Sequence, residues 1–237
     1  MKVEIWSDVM CPFCYIGKHH YEEALASFEE GKRIETVWKS FQLDPSIPKN
    51  APGTDTYTYL SERKGLSPEQ AREMSDNLAH RAAEEGLQMN FEKVVVANTF
   101  DAHRLIHLAQ ESGMGSEMEE KLFEAHFVSG KDVSDRAVLA ELGQSLGLKG
   151  EDVADMFESG RLSEEVKSDV KEGAQLGLTG VPFFVFNRKY AVSGAQPVER
   201  FVQALSKAFS EWEAQNPPVV LTRVGDGPSC SPESGCA

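Results

Sequence analysis

An α/β fold, in which a β-α-β half and a β-β-α half flank a block of helices, is predicted by three observations in this 237-residue chain. Residues 2–7 alternate like a strand and run straight into Cys11-Pro12-Phe13-Cys14 and a helical periodicity. From about 60 to 178 the apolar residues recur at helical spacing. Two short strands at 181–193 and an amphipathic helix then close the pattern. The chain divides accordingly into 1–50, an N-terminal half; 51–160, a helical insertion; 161–215, a C-terminal half; and 216–237, a flexible tail.

Each element has a local reason. After Cys14, residues Tyr15, Ile16, Ala24, Leu25 and Phe28 fall near one helix face, and Gly31 is the expected C-cap. Ile34 to Leu43 reads as the second strand, stopped by the prolines of Asp44-Pro45-Ser46-Ile47-Pro48. Ser67-Pro68-Glu69-Gln70 is a helix start, with Ser as N-cap, Pro first in the helix and Gln third. Asn98-Thr99-Phe100-Asp101 opens another long helix, and further helices are expected at about 115–128, 134–147, 150–158 and 161–176. Val181 to Phe186, a turn at Asn187-Arg188-Lys189 and Tyr190 to Ser193 form a strand pair. The helix from Pro197 to about Glu213 turns Val198, Phe201, Val202, Leu205 and Phe209 inward.

Composition narrows the function. Hydrophobic residues make up 41% and charged residues 26%, so the chain is globular rather than disordered. Thirty-eight acidic against 24 basic side chains give a net charge of −14, which disfavours nucleic acid and anionic lipid as partners. No apolar stretch approaches the roughly 20 residues of a membrane-spanning helix. The first residues read as a strand carrying Glu4 and Asp8 rather than as an apolar leader, so the expected location is cytoplasmic. Four cysteines at opposite ends of the chain, Cys11, Cys14, Cys230 and Cys236, are not a disulfide framework.

A CxxC where a strand gives way to a helix has a redox rationale. At the helix start, unpaired N–H groups and the positive end of the helix favour a thiolate on Cys11. Cys14, one turn later, is near enough to attack a mixed disulfide on Cys11. Inert buried cysteines, or half of a zinc site completed by Cys230 and Cys236, are the bland alternatives; no metal site is expected, since the five-residue tail spacing is wide for zinc. Val181-Pro182 places a proline at the mouth of an otherwise buried strand, which points to a first-residue position or a cis peptide.

These motifs resemble the DsbA family of the thioredoxin superfamily, in particular its FrnE-like branch of dithiol oxidoreductases. The resemblance rests on Ser7-Asp8-Val9-Met10-Cys11-Pro12-Phe13-Cys14-Tyr15-Ile16-Gly17, Phe41-Gln42-Leu43-Asp44-Pro45, Asn98-Thr99-Phe100-Asp101-Ala102-His103-Arg104-Leu105 and Gly180-Val181-Pro182-Phe183-Phe184-Val185-Phe186. It implies a thioredoxin fold with a helical insertion, Cys11 as exchanging nucleophile, Cys14 as resolving thiol and Pro182 as a cis proline facing them. Substrate contacts are expected at Val181, whose backbone pairs with a bound chain, and at Pro12, Phe13, Asn98 and Thr99. The Pro-Phe inside the CxxC departs from the histidine of the strongly oxidising members, so their redox poise does not carry over.

The expected activity is thiol–disulfide exchange or disulfide isomerisation on protein or small-molecule disulfides, with no bound cofactor and with glutathione or another dithiol protein as exchange partner. The sister group of glutathione-dependent chromene-carboxylate isomerases and kappa-class transferases uses serine where Cys11 stands; such an isomerase would tolerate Cys14→Ser. A chaperone-like binding module would act without the dithiol. Cys230 and Cys236 are expected to form an auxiliary redox pair, because a 14-residue tether reaches roughly 20 Å. Lys18-His19-His20 reads as a solvated helix face, as do most glutamates between 60 and 175, and His103 and His107 share a face without a third metal ligand.

Overall fold

The computed structural model describes residues 1–49 and 53–217, and the backbone of 230–231 and 235–236. Strand β1 (Lys2–Ser7) leads to α1 (Pro12–Ser27), a 3-10 turn at Gly31–Arg33 and β2 (Glu35–Ser40). The two-residue β3 (Thr54–Asp55) precedes α2 (Thr56–Lys64) and α3 (Pro68–Glu84); β4 (Val95–Val96) precedes α4 (Phe100–Gln110) and α5 (Gly115–Phe123). α5 runs on as a π-helical turn over Glu124–Val128, followed by α6 (Arg136–Ser145), α7 (Gly150–Ser159) and α8 (Ser163–Gln175). β5 (Phe183–Phe186), β6 (Tyr190–Ser193) and α9 (Val198–Gln215) complete the body.

Local chemistry explains where the elements stop. The Ser67 hydroxyl accepts the Gln70 N–H and the Gln70 side chain accepts the Ser67 N–H, so the expected capping box starts α3. Gly31 is not the cap of α1: the helix ends at Ser27, and the Phe28 N–H returns to Leu25 O. Gly31 is needed because a Cβ there would sit 2.3 Å from the Leu25 carbonyl. β2 ends three residues earlier than the alternation suggests, because the Leu43 N–H turns away from the sheet to the Asp8 carboxylate.

The main sheet has the order β2-β1-β5-β6, with β2 parallel to β1 and the other neighbours antiparallel. β1 lies inside the sheet, and Val3, Ile5 and Trp6 are all sealed from solvent. Ile5 stands opposite Phe184, and α1 and α9 cover this face through the rings of Tyr21, Phe184 and Phe201. Phe184 and Phe201 meet nearly edge to face at 4.6 Å, worth about 1 kcal/mol beyond the area they bury. α4 and α8 cover the other face, where the Trp6 indole N–H donates to Asp169 O. One apolar core runs from Met1 and Ile5 through Leu105 and Leu122 to Phe209, so the helical block shares the core of the sheet.

α1 approaches the β5 entrance at Gly17. A Cβ there would lie 2.8 Å from the Pro182 ring and 3.3 Å from Phe184. Alanine normally gains about 1 kcal/mol over glycine inside a helix. Gly17→Ala is nevertheless expected to lower stability by about 1–3 kcal/mol, because both neighbours are held by the core. Urea unfolding monitored by tryptophan fluorescence measures the sign.

Candidate active site

Cys11 sits at the N-cap of α1 in an extended conformation, and its thiol caps nothing. The cap is made by backbone: the Cys11 N–H donates to Asp8 O at 2.9 Å, and Cys11 O accepts from Cys14 N–H at 3.0 Å. Cys11 Sγ lies 3.6 Å from the Val181 carbonyl, and the Val181–Pro182 peptide is cis. The expected partners Cys11, Cys14, Val181 and Pro12 therefore meet at one place, with the Phe13 ring beside them and 45% exposed. Both CxxC cysteines are free thiols. Burial pushes the Cys14 thiol well up, and neighbouring Cys11 adds to it, whereas the Asp8 backbone and the Ser7 hydroxyl pull it down.

Below the two thiols is a buried polar cluster drawn from both parts of the chain. The Ser7 hydroxyl, at the end of β1, donates to Glu119 on α5, whose other carboxylate oxygen has no partner. Burial raises the Glu119 carboxyl to about 7, although Ser7, His103 and Lys18 oppose the shift. Asp8 Oδ1 lies 3.4 Å from His103 Nε2, an ion-pair distance without hydrogen-bond geometry. Burial works against the His103 imidazolium, but Asp8 and Glu119 outweigh it and leave the pKa raised. Lys18 is 3% exposed and is gripped by Glu22 at 2.7 Å and Glu120 at 2.6 Å.

On the solvent side, Cys11 and Val181 open onto a cavity of about 610 Å³ walled by α2, α3 and the π-helical turn. Its sides are mainly apolar, with Phe91 and Phe127 in contact at 6.0 Å and Tyr15 stacked on Phe123 at 5.0 Å behind them.

Several expectations need correction. Asn98 and Thr99 do not line this cavity; Asn98 ties Ile47 O to the Phe100 N–H, a structural bridge between the loop and α4. Lys18 is buried in an ion pair rather than solvated, because α5 packs over that turn of α1. His103 and His107 turn to separate carboxylates, Asp8 and Asp169, and no group of three or more potential metal ligands occurs among the described residues. The side chains of Cys230 and Cys236 lie outside the described residues; the backbone alone pairs Cys230–Ser231 with Gly235–Cys236. Sequence reasoning missed Glu119 and His126. Their signal was present: Glu119, Leu122, Phe123 and His126 share one stripe at i, i+3, i+4 and i+7, which places an acid and a histidine on an apolar face.

A dithiol at a helix start, facing a cis-proline strand of a β2-β1-β5-β6 sheet, defines a thioredoxin-like fold built for thiol–disulfide exchange. Residues 2–206 match the family model described as a DSBA-like thioredoxin domain, and the chain belongs to that family as an oxidoreductase. A probable DsbA oxidoreductase from Streptomyces coelicolor is 41% identical with a TM-score of 0.83, over 100% of this chain and 98% of that one. The uncharacterized protein YwbO of Bacillus subtilis is 28% identical over 208 residues, 86% of this chain and 95% of its own length. A cytosolic disulfide reductase, DsbM from Pseudomonas aeruginosa, shares the fold at 18% identity and a TM-score of 0.56, over 91% of this chain and 98% of that one. DsbM has also been solved with GSH. Among the described residues, no helix is long and apolar enough to cross a membrane.

The buried cluster dictates a pH dependence of stability. Glu119 and His103 both have pKa values raised by folding, so the native state holds more protons than the unfolded chain and stability falls as pH rises through 7. His126 has the opposite sign, since burial lowers it to about 4, but its contribution is complete above its unfolded value of 6.5. The expected loss between about pH 6.5 and pH 8 is on the order of 1 kcal/mol. Glu119→Gln should flatten it, as read from urea midpoints across that range.

Proposed function

We propose that the protein reduces, forms or rearranges disulfides through the Cys11–Cys14 dithiol, in a cytoplasmic setting and without a bound cofactor. The observation that carries the reading is the placement of the Cys11 sulfur 3.6 Å from the Val181 carbonyl at a helix start, with Cys14 sealed one turn behind. A substrate strand entering along Val181 brings its disulfide to Cys11.

In the reducing direction, the Cys11 thiolate attacks one sulfur of the substrate disulfide and expels the other as a thiolate. Cys14 then loses its proton and attacks the Cys11 sulfur, which breaks the mixed disulfide and releases the second substrate thiolate. Two electrons pass from the dithiol to the substrate, and the reverse sequence oxidises a substrate dithiol. Burial opposes ionisation of Cys14, so the resolving step needs a proton acceptor. Ser7 touches both Cys14 and Glu119, and a buried carboxyl that titrates near 7 takes up a proton readily at neutral pH. Glu119 is the acceptor in this reading, with Ser7 as the bridge. Protein or small-molecule disulfides are the substrates, glutathione or another dithiol protein recycles the pair, and neither nucleic acid nor membrane takes part. The net charge of −14 supports that last exclusion.

The test is reduction of insulin disulfides. Cys11→Ser is expected to abolish it, and Cys14→Ser to accumulate a mixed disulfide on Cys11 that mass spectrometry can map. Glu119→Gln should slow resolution of that mixed disulfide by about tenfold near neutral pH and remove the pH dependence near 7, with the first attack unchanged. Full turnover in Cys11→Ser would refute the reading, and so would a glutathione-dependent isomerase activity that survives Cys14→Ser alongside no insulin reduction.

A further inference from the structure

The cavity beside Cys11 has the opposite charge to the chain around it. Across 38 acidic and 24 basic side chains, the lining includes Arg63, Lys64 and Arg81 and no aspartate or glutamate. Arg63 has Asp44 at 3.4 Å, whereas Lys64 and Arg81 have no ion-pair partner among the described residues. The rest of the lining is mainly apolar, with Thr56, Tyr59, Ser75, Asn77 and His126 among it. Of the four large apolar side chains that are well exposed among the described residues, three ring this opening: Phe13, Leu43 and Met74.

A further observation points to an occupant. His126 lines the same cavity at 1% exposure, and its Nδ1 has no hydrogen-bond partner. It is carried by the π-helical turn, where Ser129 N–H bonds Glu124 O, five residues back. Such turns recur at functional sites, and a buried unpaired polar atom is costly unless something in the cavity meets it. Burial holds the ring neutral, with its pKa lowered to about 4, so it offers one donor and one acceptor.

We infer that this cavity is a binding site for a small disulfide with an apolar body and a carboxylate, held with its sulfur at Cys11, its body along the Phe91 and Phe127 walls, its anionic end at Lys64 and Arg81 and a polar atom toward His126. At about 610 Å³ the space suits a whole small molecule, and α2 and α3 wall it in beyond Val181, where the proposed protein strand would pair. The inference rests on the thiol–disulfide reading and specifies the substrate class. Cys11 forms a mixed disulfide with half of the molecule and expels the other half as a thiolate; Cys14 displaces the second half, so the dithiol becomes a disulfide and the small disulfide becomes two thiols.

The experiment uses the full chain, pre-reduced, in stopped flow against two aromatic disulfides. Dithiobis(nitrobenzoate) carries two carboxylates, and dithiodipyridine is its neutral counterpart. The exposed double variant Lys64→Glu/Arg81→Glu should slow the anionic probe by about tenfold or more and leave the neutral one within about twofold. Leu78→Trp, which fills the cavity, should slow both probes while alkylation of Cys11 by iodoacetamide and insulin reduction stay within about twofold. Equal effects of the charge variant on the two probes would overturn the inference. So would a fall in insulin reduction matching that of the small probes in Leu78→Trp, which would assign the cavity to protein side chains. Failure of the underlying redox reading looks different: Cys11→Ser would then process insulin and both probes as fast as the unmutated chain.

Discussion

Asp8 is sealed from solvent, and three parts of the fold converge on it. Its carbonyl accepts the Cys11 N–H, its carboxylate accepts the Leu43 N–H, and the same carboxylate faces His103 on α4. The start of α1, the exit of β2 and the first helix of the sheet's far face are therefore positioned by one residue. A buried carboxylate persists only where hydrogen bonds and an opposite charge compensate its lost hydration. Truncating its side chain would release the Leu43 N–H and leave His103 buried without the Asp8 charge, while the backbone bond to Cys11 remains. The geometry of the thiols is thus an outcome of the packing of distant segments, rather than a property of the CxxC sequence alone.

That dependence explains why the helical block shares a core with the sheet. α5 contributes Met118 and Leu122 to the main core and Glu119 to the thiol site from the same turns. Its neighbour Glu120 binds both Tyr15 and Lys18 of α1. For buried Lys18, burial lowers the ammonium pKa, but Glu22 and Glu120 more than restore it, and the pKa ends raised. Removing both acids would strand the buried ammonium, whereas removing one leaves the other in place, and both acids are partly exposed. The helices that look inserted in sequence are bolted to α1 by charge as well as by apolar area.

Much of this was legible in the sequence because local rules governed it. The order of strands and helices, the capping box at Ser67 and the proline at the β5 entrance followed from periodicity and turn chemistry. Cys11, Cys14 and Val181 could be placed together through the family resemblance that the motifs and the element order supported. What escaped was set by contacts between residues far apart in sequence. Lys18 looks like any lysine on a helix until α5 arrives 102 residues later to cover it. Asn98 and Thr99 lie in a motif that suggests a cleft, yet the Asn98 amide closes a loop 51 residues away. Glu119 and His126 interrupt an apolar stripe, and such an interruption acquires meaning only when the stripe is known to face the thiols.

Cys11 stands at a seam between two differently built environments. Behind it, Ser7, Asp8, His103 and Glu119 form a buried polar cluster that is sealed from solvent. In front, a mainly apolar cavity is lined also by Arg63, Lys64 and Arg81 and by no aspartate or glutamate. Both cysteines are buried, and of the two only Cys11 lines the cavity. A nucleophile must reach a substrate, whereas a resolving thiol is useful only if it meets the mixed disulfide and nothing else. In the proposed exchange, a separation of one helical turn across the boundary between the cavity and the buried cluster suits Cys11 to the first attack and Cys14 to resolution. In that reading the same boundary divides substrate selection, on α2 and α3, from proton handling at Ser7 and Glu119, so the first could vary without disturbing the second.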